Sequence, residues 1–580
     1  MKKLFRFMKG YEKDCILAPL FKLLEASLEL IVPLIVAAII DTGIAGGDTA
    51  YVWRMSLLLV LFGLVGLGFS VTAQYFAAKA AVGFSTRTRH ALYEHIGTLS
   101  YTEIDTLGTS TIINRLTGDT GQVQTGTNLT LRLLLRSPFV VFGAMIMAFT
   151  VDVPSAVIFT VAIPALAVVI FGIMLLSIPL YRKVQTKLDR VLLKTRENLV
   201  GARVVRAFAK EDTEIEEFRE KNGELCAEQK HVGRIGALLN PLTYVIINLA
   251  ILWLIHTGAL RVDAGVLTQG AVIALYNYMS QILVELVKLA NLIINITKSV
   301  ASAKRISSVL AMSSSQTYGT ETEGLTGAPA VEFSHVAFRY KNAGAESLLP
   351  VTFTAERGET IGIIGGTGAG KTTLVNLIPR FYDATDGEVK IEGRPIGEYS
   401  REALAKMIGV VPQRAVLFHG SVRDNMRWRD ENADDAEIYR ALDMAQIKDS
   451  VEEKGGLDFC LEEGGGNLSG GQKQRLSIAR ALVGKPEILI LDDSSSALDY
   501  ATDAALRHAI REGSGGATVF IVSQRTASLM HADKILVLDD AALVGMGTHE
   551  ELLRSCDVYR EIHESQFGKG NDGKEEEVRA

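Results

Sequence analysis

Residues 360–373 read TIGIIGGTGAGKTT and predict a strand, a loop and the start of a helix. The apolar run TIGII is continuous, as in a parallel strand that is buried on both faces. The loop matches the pattern GxxxxGK[ST] and is followed by the apolar stretch LVNLIPRF, which is typical of a helix. A strand, a glycine-rich loop and a helix in this order predict a phosphate-binding loop in a nucleotide-binding α/β domain.

The chemistry expected of this loop follows from its residue types. Glycines let backbone N–H groups converge on phosphate oxygens, and the start of the following helix adds the positive end of its dipole. Lys371 should reach the β- and γ-phosphates of ATP, and the Thr372 hydroxyl should bind Mg²⁺. The residues expected to surround the phosphates are Gly365, Gly366, Thr367, Gly368, Ala369, Gly370, Lys371, Thr372 and Thr373.

A second apolar run, ILIL at 488–491, ends in Asp492. In a nucleotide-binding α/β domain, a carboxylate at the end of a buried strand can hold Mg²⁺ through water. Asp492 by itself would be weak support for a metal site. Together with the phosphate-binding loop, it predicts a Mg²⁺–ATP site.

The N-terminal half has the composition of a membrane protein. The chain of 580 residues is 48% hydrophobic and yet 22% charged, as expected when a membrane domain is joined to a soluble one. Six apolar stretches are long enough to cross a bilayer. They lie near residues 16–40, 55–83, 133–151, 156–180, 240–260 and 269–297.

The distribution of charge predicts the orientation of these spans. Most Lys and Arg residues of the first half lie in the N-terminal tail and in two long links, near 84–132 and 181–239. The positive-inside rule therefore places both termini in the cytoplasm. Residues 321–580 carry an excess of Asp and Glu, which argues against nucleic acid as a partner.

The sequence divides into four segments. Residues 1–312 are predicted to form the membrane domain, and 313–330 have the small, polar composition of a linker. Residues 331–565 alternate strands and helices and predict the ATP-binding domain. The last segment, 566–580, is predicted to be a charged tail.

Residues 468–472 read LSGGQ and lead into the predicted helix KQRLSIARAL. Through this pentapeptide the chain resembles the ABC transporter family, in which Ser469, Gly470, Gly471 and Gln472 would contact the γ-phosphate of an ATP held by the opposite subunit. The resemblance also places Tyr340 against adenine, and it places Gln413 where the family has a Gln that senses Mg²⁺ and the membrane domain. Asp499 matches the family's dimer-crossing loop. Glu463 matches the loop before the signature, although Gly464 replaces the usual Arg.

The first half resembles the exporter branch of the same family. Residues 112–124, IINRLTGDTGQVQ, look like its first coupling segment, and 197–218 look like part of its second long cytoplasmic loop. The resemblance implies six spans followed by the ATPase domain, in a bacterial cell membrane. It also implies a second half-transporter as partner and a small hydrophobic or amphipathic substrate.

Two positions depart from the family pattern. Asp493 stands where the family usually has the Glu that orients the attacking water, and Gln524 stands where it usually has His. Beside an intact signature, both changes are typical of the degenerate half of a heterodimeric exporter, whose own site hydrolyses ATP weakly. The alternatives are a homodimeric lipid or drug flippase with slow hydrolysis, an importer built on the exporter fold, and an ATP-gated regulatory protein.

Charged residues inside the predicted spans suggest either a substrate site or structural ion pairs. Charge within a bilayer is costly and is often retained for function. One group on the first span shares a helical face, and a second pair lies on the last span. These residues are Lys22, Glu25, Glu29, Glu285 and Lys288.

Overall fold

The computed structural model describes residues 2–341, 343–494 and 498–567, which divide into two compact units. The helical unit contains the residues up to Gly97 and Ser110–Met312. The sheet unit contains Thr98–Thr109 and the chain from Ser313 onward. The boundary therefore assigns one short segment of the N-terminal half to the sheet unit.

The first 312 residues are almost entirely helical. Two single turns of π-helix, Ile39–Ile44 and Arg115–Asp119, interrupt the α-helices. The α-helices are α1 (Lys2–Phe5), α2 (Glu12–Ala38), α3 (Thr49–Gly97), α4 (Tyr101–Leu107), α5 (Thr109–Asn114), α6 (Thr120–Leu133), α7 (Arg136–Val151), α8 (Val153–Val200), α9 (Ala202–Ala207), α10 (Glu211–Ala237), α11 (Leu239–Asp263) and α12 (Gln269–Val309).

Six helical stretches among the described residues are long and apolar enough to cross a membrane. Each contains one of the six predicted apolar stretches, which confirms the predicted helical transmembrane domain. Their bounds are Glu12–Ile44, Thr49–Gly97, Thr109–Val151, Val153–Val200, Glu211–Asp263 and Gln269–Val309.

Local sequence explains where these helices begin and how they pack. Asp152 caps α8 by accepting a 3.0 Å hydrogen bond from the Ser155 backbone N–H, and Thr268 caps α12 in the same way. On α3, Ala73, Ala77 and Ala80 are fully buried at helical spacing. Such small side chains let neighbouring helices approach closely in a membrane domain.

The sheet unit is built around a six-stranded sheet in the order β12-β11-β3-β10-β9-β6. A four-stranded antiparallel sheet, β2-β1-β4-β5, and the pair β7-β8 complete it. The strands are β1 (Val331–Phe338), β2 (Leu348–Ala355), β3 (Thr360–Gly365), β4 (Asp386–Ile391), β5 (Arg394–Pro395), β6 (Ile408–Val411), β7 (Gly420–Ser421), β8 (Cys460–Leu461), β9 (Ile488–Asp492), β10 (Thr518–Val522), β11 (Lys534–Asp539) and β12 (Ala542–Gly547).

Nine α-helices lie among the described residues after Ser313. They are α13 (Lys371–Leu377), α14 (Arg401–Met407), α15 (Val422–Arg427), α16 (Asp435–Met444), α17 (Lys448–Glu453), α18 (Gly470–Leu482), α19 (Tyr500–Gly513), α20 (His549–Ser555) and α21 (Asp557–Phe567).

Strands β3, β10 and β9 are neighbouring parallel strands, buried on both faces. On β9, Leu489 and Leu491 belong to one hydrophobic cluster, whereas Ile488 and Ile490 belong to another. The two clusters lie on opposite sides of the sheet because successive side chains of a strand alternate in direction. This double burial explains the continuous apolar runs and confirms the predicted α/β domain.

Residues 313–330, which composition predicted to be a linker, pack on the sheet unit. Gln316 is buried, and its Nε2 donates a 3.1 Å hydrogen bond to the Arg380 carbonyl oxygen. The Gly319 N–H donates to the carbonyl oxygens of Gly397 and Tyr399. Composition indicated a linker because the segment is small and polar, but its backbone groups find partners on the domain surface.

Helix α4 lies in the sheet unit, where its Tyr101 ring is 4.7 Å from the Phe381 ring. Ser100 precedes α4 in extended conformation, and Gly108 ends it at φ +75°. The predicted first coupling segment, 112–124, instead belongs to the helical unit. The contact between Tyr101 and Phe381 joins residues that are far apart in the sequence, which local sequence does not specify.

The C-terminal end of the ATP-binding domain also extends beyond the predicted boundary. Helix α21 ends at Phe567, and the Gln566 side chain bonds to Thr526 and to the Gln524 carbonyl oxygen. Gln566 therefore belongs to the folded domain, although the predicted tail began there. The remainder of that tail, 568–580, lies outside the described residues.

Candidate nucleotide site

The predicted phosphate-binding loop connects β3 to α13, and two of its glycines are required by backbone geometry. Gly365 has φ +155°, and a Cβ there would lie 2.0 Å from the Leu538 carbonyl oxygen. Gly370 has φ +92°, and its Cβ would lie 2.8 Å from the Ser347 carbonyl oxygen. Both positions favour glycine because L-residues rarely adopt these conformations. The loop is therefore held against β11 and β2.

Lys371, the first residue of α13, reaches back over the loop. Its Nζ donates hydrogen bonds to the carbonyl oxygens of Gly365, at 2.8 Å, and Gly366, at 2.6 Å. Burial lowers the pKa of Lys371, while the charges of Asp493 and Asp492 oppose that effect. A phosphate would offer this partly desolvated ammonium group a charged hydrogen-bond partner.

Thr372 and Asp492 meet at the end of β9. The Thr372 hydroxyl donates a 3.1 Å hydrogen bond to Asp492 Oδ1. Asp492 is buried, and this burial raises the pKa of its carboxyl group. The neighbouring charge of Asp493 adds to the rise, whereas the hydrogen bond from Thr372 opposes it. A hydroxyl beside a carboxylate is the oxygen donor set that Mg²⁺ prefers. These two residues therefore fit the predicted metal site and would hold Mg²⁺ when ATP binds.

Gln413 and Asp493 lie together beside this pair. Gln413 Nε2 donates a 3.3 Å hydrogen bond to Asp493 Oδ2. Asp493 has φ +44°, and its N–H donates to the Val522 carbonyl oxygen at 3.0 Å. Asp492, the last residue of β9, pairs with Val522, the last residue of β10. The exposed residue Gln524 lies two residues beyond Val522. The fold thus places Gln413, Asp493 and Gln524 on the same edge of the sheet.

Tyr340 lies near the start of α13. Its ring contacts the rings of Phe338 and Tyr382 edge-on, with centroids 4.8 and 5.2 Å away. Its hydroxyl is 3.4 Å from the Thr373 Oγ1. The ring is only partly buried, and an aromatic side chain in this place can stack on a base.

The signature residues form a separate site at the start of α18. Ser469 and Gln472 make a reciprocal capping box, and Gln472 Nε2 also donates to Ser450 Oγ at 2.8 Å. A Cβ on Gly470 would meet nothing within 4 Å, so space is open in front of this turn. Within the described ranges, no hydrogen bond joins Ser469–Gln472 to the phosphate-binding loop. The LSGGQ turn and the phosphate-binding loop therefore lie at the starts of two different helices, α18 and α13.

The remaining family positions lie in short turns. Asp499 caps α19 by accepting a 3.2 Å hydrogen bond from the Thr502 N–H, and this contact lowers its pKa. Glu463 begins a 3₁₀ turn, and Gly464 in that turn has φ +62°. Glycine adopts this left-handed conformation at little cost, whereas an Arg at position 464 would be strained in it.

Sequence reasoning missed the residues that connect this site to α4. Phe381 and Tyr382 follow α13, and their rings contact Tyr101; Tyr382 also contacts Tyr340. The adjacent aromatic residues in RFYD were the available signal. Their importance depends on α4, which is distant in the sequence.

Comparison with known proteins agrees with this geometry. The family description "ABC transporter transmembrane region" matches residues 15–286, and "ABC transporter" matches residues 348–496. The uncharacterized ABC transporter ATP-binding protein YfiB of Bacillus subtilis (strain 168) is 36% identical over 571 residues, covering 98% of this chain and 99% of YfiB. YheI of the same strain, a probable multidrug resistance ABC transporter ATP-binding/permease protein, is 30% identical over 573 residues, covering 98% of this chain and 97% of YheI.

A solved structure shares the fold. A bacterial Atm1-family ABC exporter with ATP bound superposes with a TM-score of 0.80 at 23% sequence identity. The match covers 97% of this chain and 100% of that chain. Together with the full-length relatives, the phosphate-binding loop and the LSGGQ turn, it leads to one conclusion: the chain belongs to the ABC transporter family, with a transmembrane domain and an ABC ATPase domain that binds and hydrolyses ATP.

Proposed function

We propose that this protein is the degenerate half of a heterodimeric ABC exporter. It would move amphipathic or hydrophobic compounds out of a bacterial cell, using ATP and Mg²⁺. Both termini and the ATPase domain would lie in the cytoplasm, as the positive charge of the long links predicts. The bacterial relatives of similar length support a location in the cell membrane.

The observation that carries this proposal is the contact between Gln413 and Asp493. A Glu would extend one methylene farther toward a water bound at the γ-phosphate. At the observed position, the Asp493 carboxylate is instead 3.3 Å from Gln413 Nε2. Misplacing a catalytic group by about 1 Å can cost about 100-fold in rate, so slow hydrolysis is expected at this chain's own site.

Gln524 points to the same conclusion. A Gln side chain can donate a hydrogen bond to the γ-phosphate, but it cannot become a cationic partner as His can. Asp493 and Gln524, in place of the family's Glu and His, would weaken hydrolysis at this chain's own site while leaving ATP binding intact. The phosphate-binding loop, Thr372 and Asp492 retain the groups needed for that binding.

The intact signature supports a second half-transporter as partner. ABC exporters function as dimers, and the capped LSGGQ turn would complete the partner's site. Apolar side chains are exposed on both units, where a second half would cover them. On the helical unit they include Leu199, Val200, Val204 and Phe208; on the sheet unit they include Val416, Phe418 and Trp428.

The descriptions of two relatives support amphipathic or hydrophobic compounds as the exported cargo. YheI is described as a probable multidrug resistance transporter, and YgaD of Bacillus subtilis as a putative multidrug export protein. An importer or an ATP-gated regulatory protein would share the fold. Uptake of a compound into inside-out vesicles separates these functions: an exporter accumulates it with ATP, whereas an importer or a regulator does not.

The heterodimer is tested by an asymmetry between two variants of the assembled complex. Ser469→Ala should remove most ATPase activity, because it removes a hydroxyl from the partner's fast site. Asp493→Asn should cost much less, because this chain's own site is already slow. The heterodimer proposal fails if Asp493→Asn silences the complex while Ser469→Ala leaves it active, or if this chain alone hydrolyses ATP rapidly.

A further inference from the structure

A cavity of about 390 Å³ lies between α2 and α12 in the helical unit. Apolar and polar side chains share its wall, with Val32, Pro33 and Val284 beside Asn277, Ser280 and Gln281. Glu29, Glu285 and Lys288 add charges of both signs. A mixed lining of this kind suits a molecule that carries charges on an apolar body.

The charged residues are organised around one buried ion pair. Arg136 Nη1 donates to Glu285 Oε1 at 2.6 Å, and Nη2 donates to Glu29 Oε2, also at 2.6 Å. Ser137 Oγ donates to the other oxygen of Glu285 at 2.9 Å. Arg136 and Glu285 have side chains only 7% and 3% exposed, so this pair is structural and leaves little room for a ligand.

Two charges at the cavity differ from that pair because they remain accessible. The side chains of Glu29 and Lys288 are 40% and 46% exposed. Glu29 uses one oxygen to accept from Arg136. Lys288 Nζ donates to Glu285 at 2.8 Å, but Glu285 would keep Arg136 and Ser137 if Lys288 moved to another anion. Each accessible charge can therefore take a ligand group without leaving a buried charge unpaired.

A neutral acceptor adds to the negative side of the cavity. The Oε1 atom of Gln281 is buried and has no hydrogen-bond partner among the described residues. A buried acceptor without a partner is unfavourable, and a donor on a ligand can remove that cost. Gln281 and Glu29 are thus two acceptors that line the same cavity as the ammonium group of Lys288.

We propose that this cavity binds a zwitterionic amphipathic molecule. An ammonium group would bond to Glu29 and Gln281, an anionic group would pair with Lys288, and an apolar body would pack on Val32, Pro33 and Val284. A cation alone would face Lys288, and an anion alone would face Glu29, so only a ligand with both charges matches both sites. A peptide-like molecule and a lipid with an amino headgroup share this chemistry.

Direct binding tests this assignment on the full-length chain in lipid nanodiscs without nucleotide. The probes are the dipeptide phenylalanyl-leucine, its N-acetyl derivative, its C-terminal amide and lysophosphatidylethanolamine. Removing either charge of the dipeptide should weaken binding by about tenfold or more, since each charge contributes a charge-assisted hydrogen bond. Lysophosphatidylethanolamine binding in place of the dipeptide would identify a lipid headgroup as the source.

Two variants connect each ligand charge to its residue. In the Glu29→Gln variant, the dipeptide and its N-acetyl form should bind with the same affinity. In the Lys288→Gln variant, the dipeptide and its amide should bind with the same affinity. Glu25→Gln is the matched control, because Glu25 lies one turn from Glu29 on α2 and pairs with Lys22. This variant should leave the affinity differences between the dipeptide and its two derivatives unchanged. Equal ATP binding by every variant shows that the chain is folded.

The proposal is overturned if all four probes bind equally, if none binds, or if Glu25→Gln acts like Glu29→Gln. The cavity proposal rests on the proposed function only where it assumes that the bound ligand is the exported compound. Binding with the expected charge dependence but without ATP-driven uptake into inside-out vesicles would overturn the export proposal alone. Uptake without this charge dependence would overturn the cavity assignment alone.

Discussion

The Tyr382 hydroxyl donates a 2.6 Å hydrogen bond to Asp105 Oδ2 on α4. The same ring lies 5.2 Å from the ring of Tyr340, which we expect to stack on adenine. Burial and the contact with Asp105 raise the pKa of Tyr382, so its hydroxyl stays protonated and remains a donor at neutral pH. One side chain thus joins Tyr340 to the short helix α4 within the sheet unit.

Tyr382→Phe should weaken this connection without removing the aromatic ring. We expect ATP affinity to change by less than about twofold, because no phosphate contact is lost. Hydrogen exchange over residues 98–109 should show a smaller ATP-induced change than in the wild type. Asp105→Asn should have a weaker effect than Tyr382→Phe, because its amide oxygen can still accept. An unchanged exchange pattern in Tyr382→Phe would show that the bond transmits nothing.

Lys371→Ala and Tyr340→Ala should each weaken binding of labelled ATP. Loss of the lysine removes a charge-assisted contact and should cost about tenfold or more. Loss of the ring removes a stacking surface, an effect of about 1 kcal/mol or fivefold. Tyr340→Phe keeps the ring and loses only the 3.4 Å contact with Thr373, so it should bind nearly as the wild type does. Equal binding by both alanine variants would contradict the site assignment.

Restoring the family residues should activate this chain's own site. Asp493→Glu combined with Gln524→His should raise ATP turnover in the assembled complex, because the carboxylate gains reach and the γ-phosphate gains a potential cationic partner. The measurement is best made with the partner's own catalytic Glu replaced by Gln, so that only this site turns over. A rate equal to that of the unmodified chain would mean that another feature limits hydrolysis.

Gly365→Ala and Gly366→Ala should differ sharply although they change adjacent residues. At position 365 the new Cβ would meet the Leu538 carbonyl oxygen, and the backbone must move to relieve that contact. At position 366 the Cβ would meet nothing within 4 Å. We expect Gly365→Ala to lower both the melting temperature and ATP affinity, and Gly366→Ala to preserve the melting temperature. Thermal unfolding of the purified chain gives the comparison, and equal melting temperatures would contradict the packing of this loop.

Local sequence by itself determined the six spans, the buried strands and the phosphate-binding loop. Long apolar helices, continuous apolar strands and glycines at fixed spacing each arise from a physical requirement within a few neighbouring residues. The same reasoning predicted that Thr372 and Asp492 share one site, and the structure joins them by a hydrogen bond between the start of α13 and the end of β9. Spacing alone could not show that Gln413 would lie beside Asp493.

Only the tertiary structure decided which distant residues meet. Composition predicted a linker at 313–330, and only the structure shows that Gln316 in this segment is buried and bonds to Arg380. Glu29 and Glu285 belonged to separate helical faces in the sequence, yet Arg136 bonds to both of them. Such contacts depend on how whole helices and sheets pack and on the need of buried polar groups for partners, neither of which the local pattern of a sequence specifies.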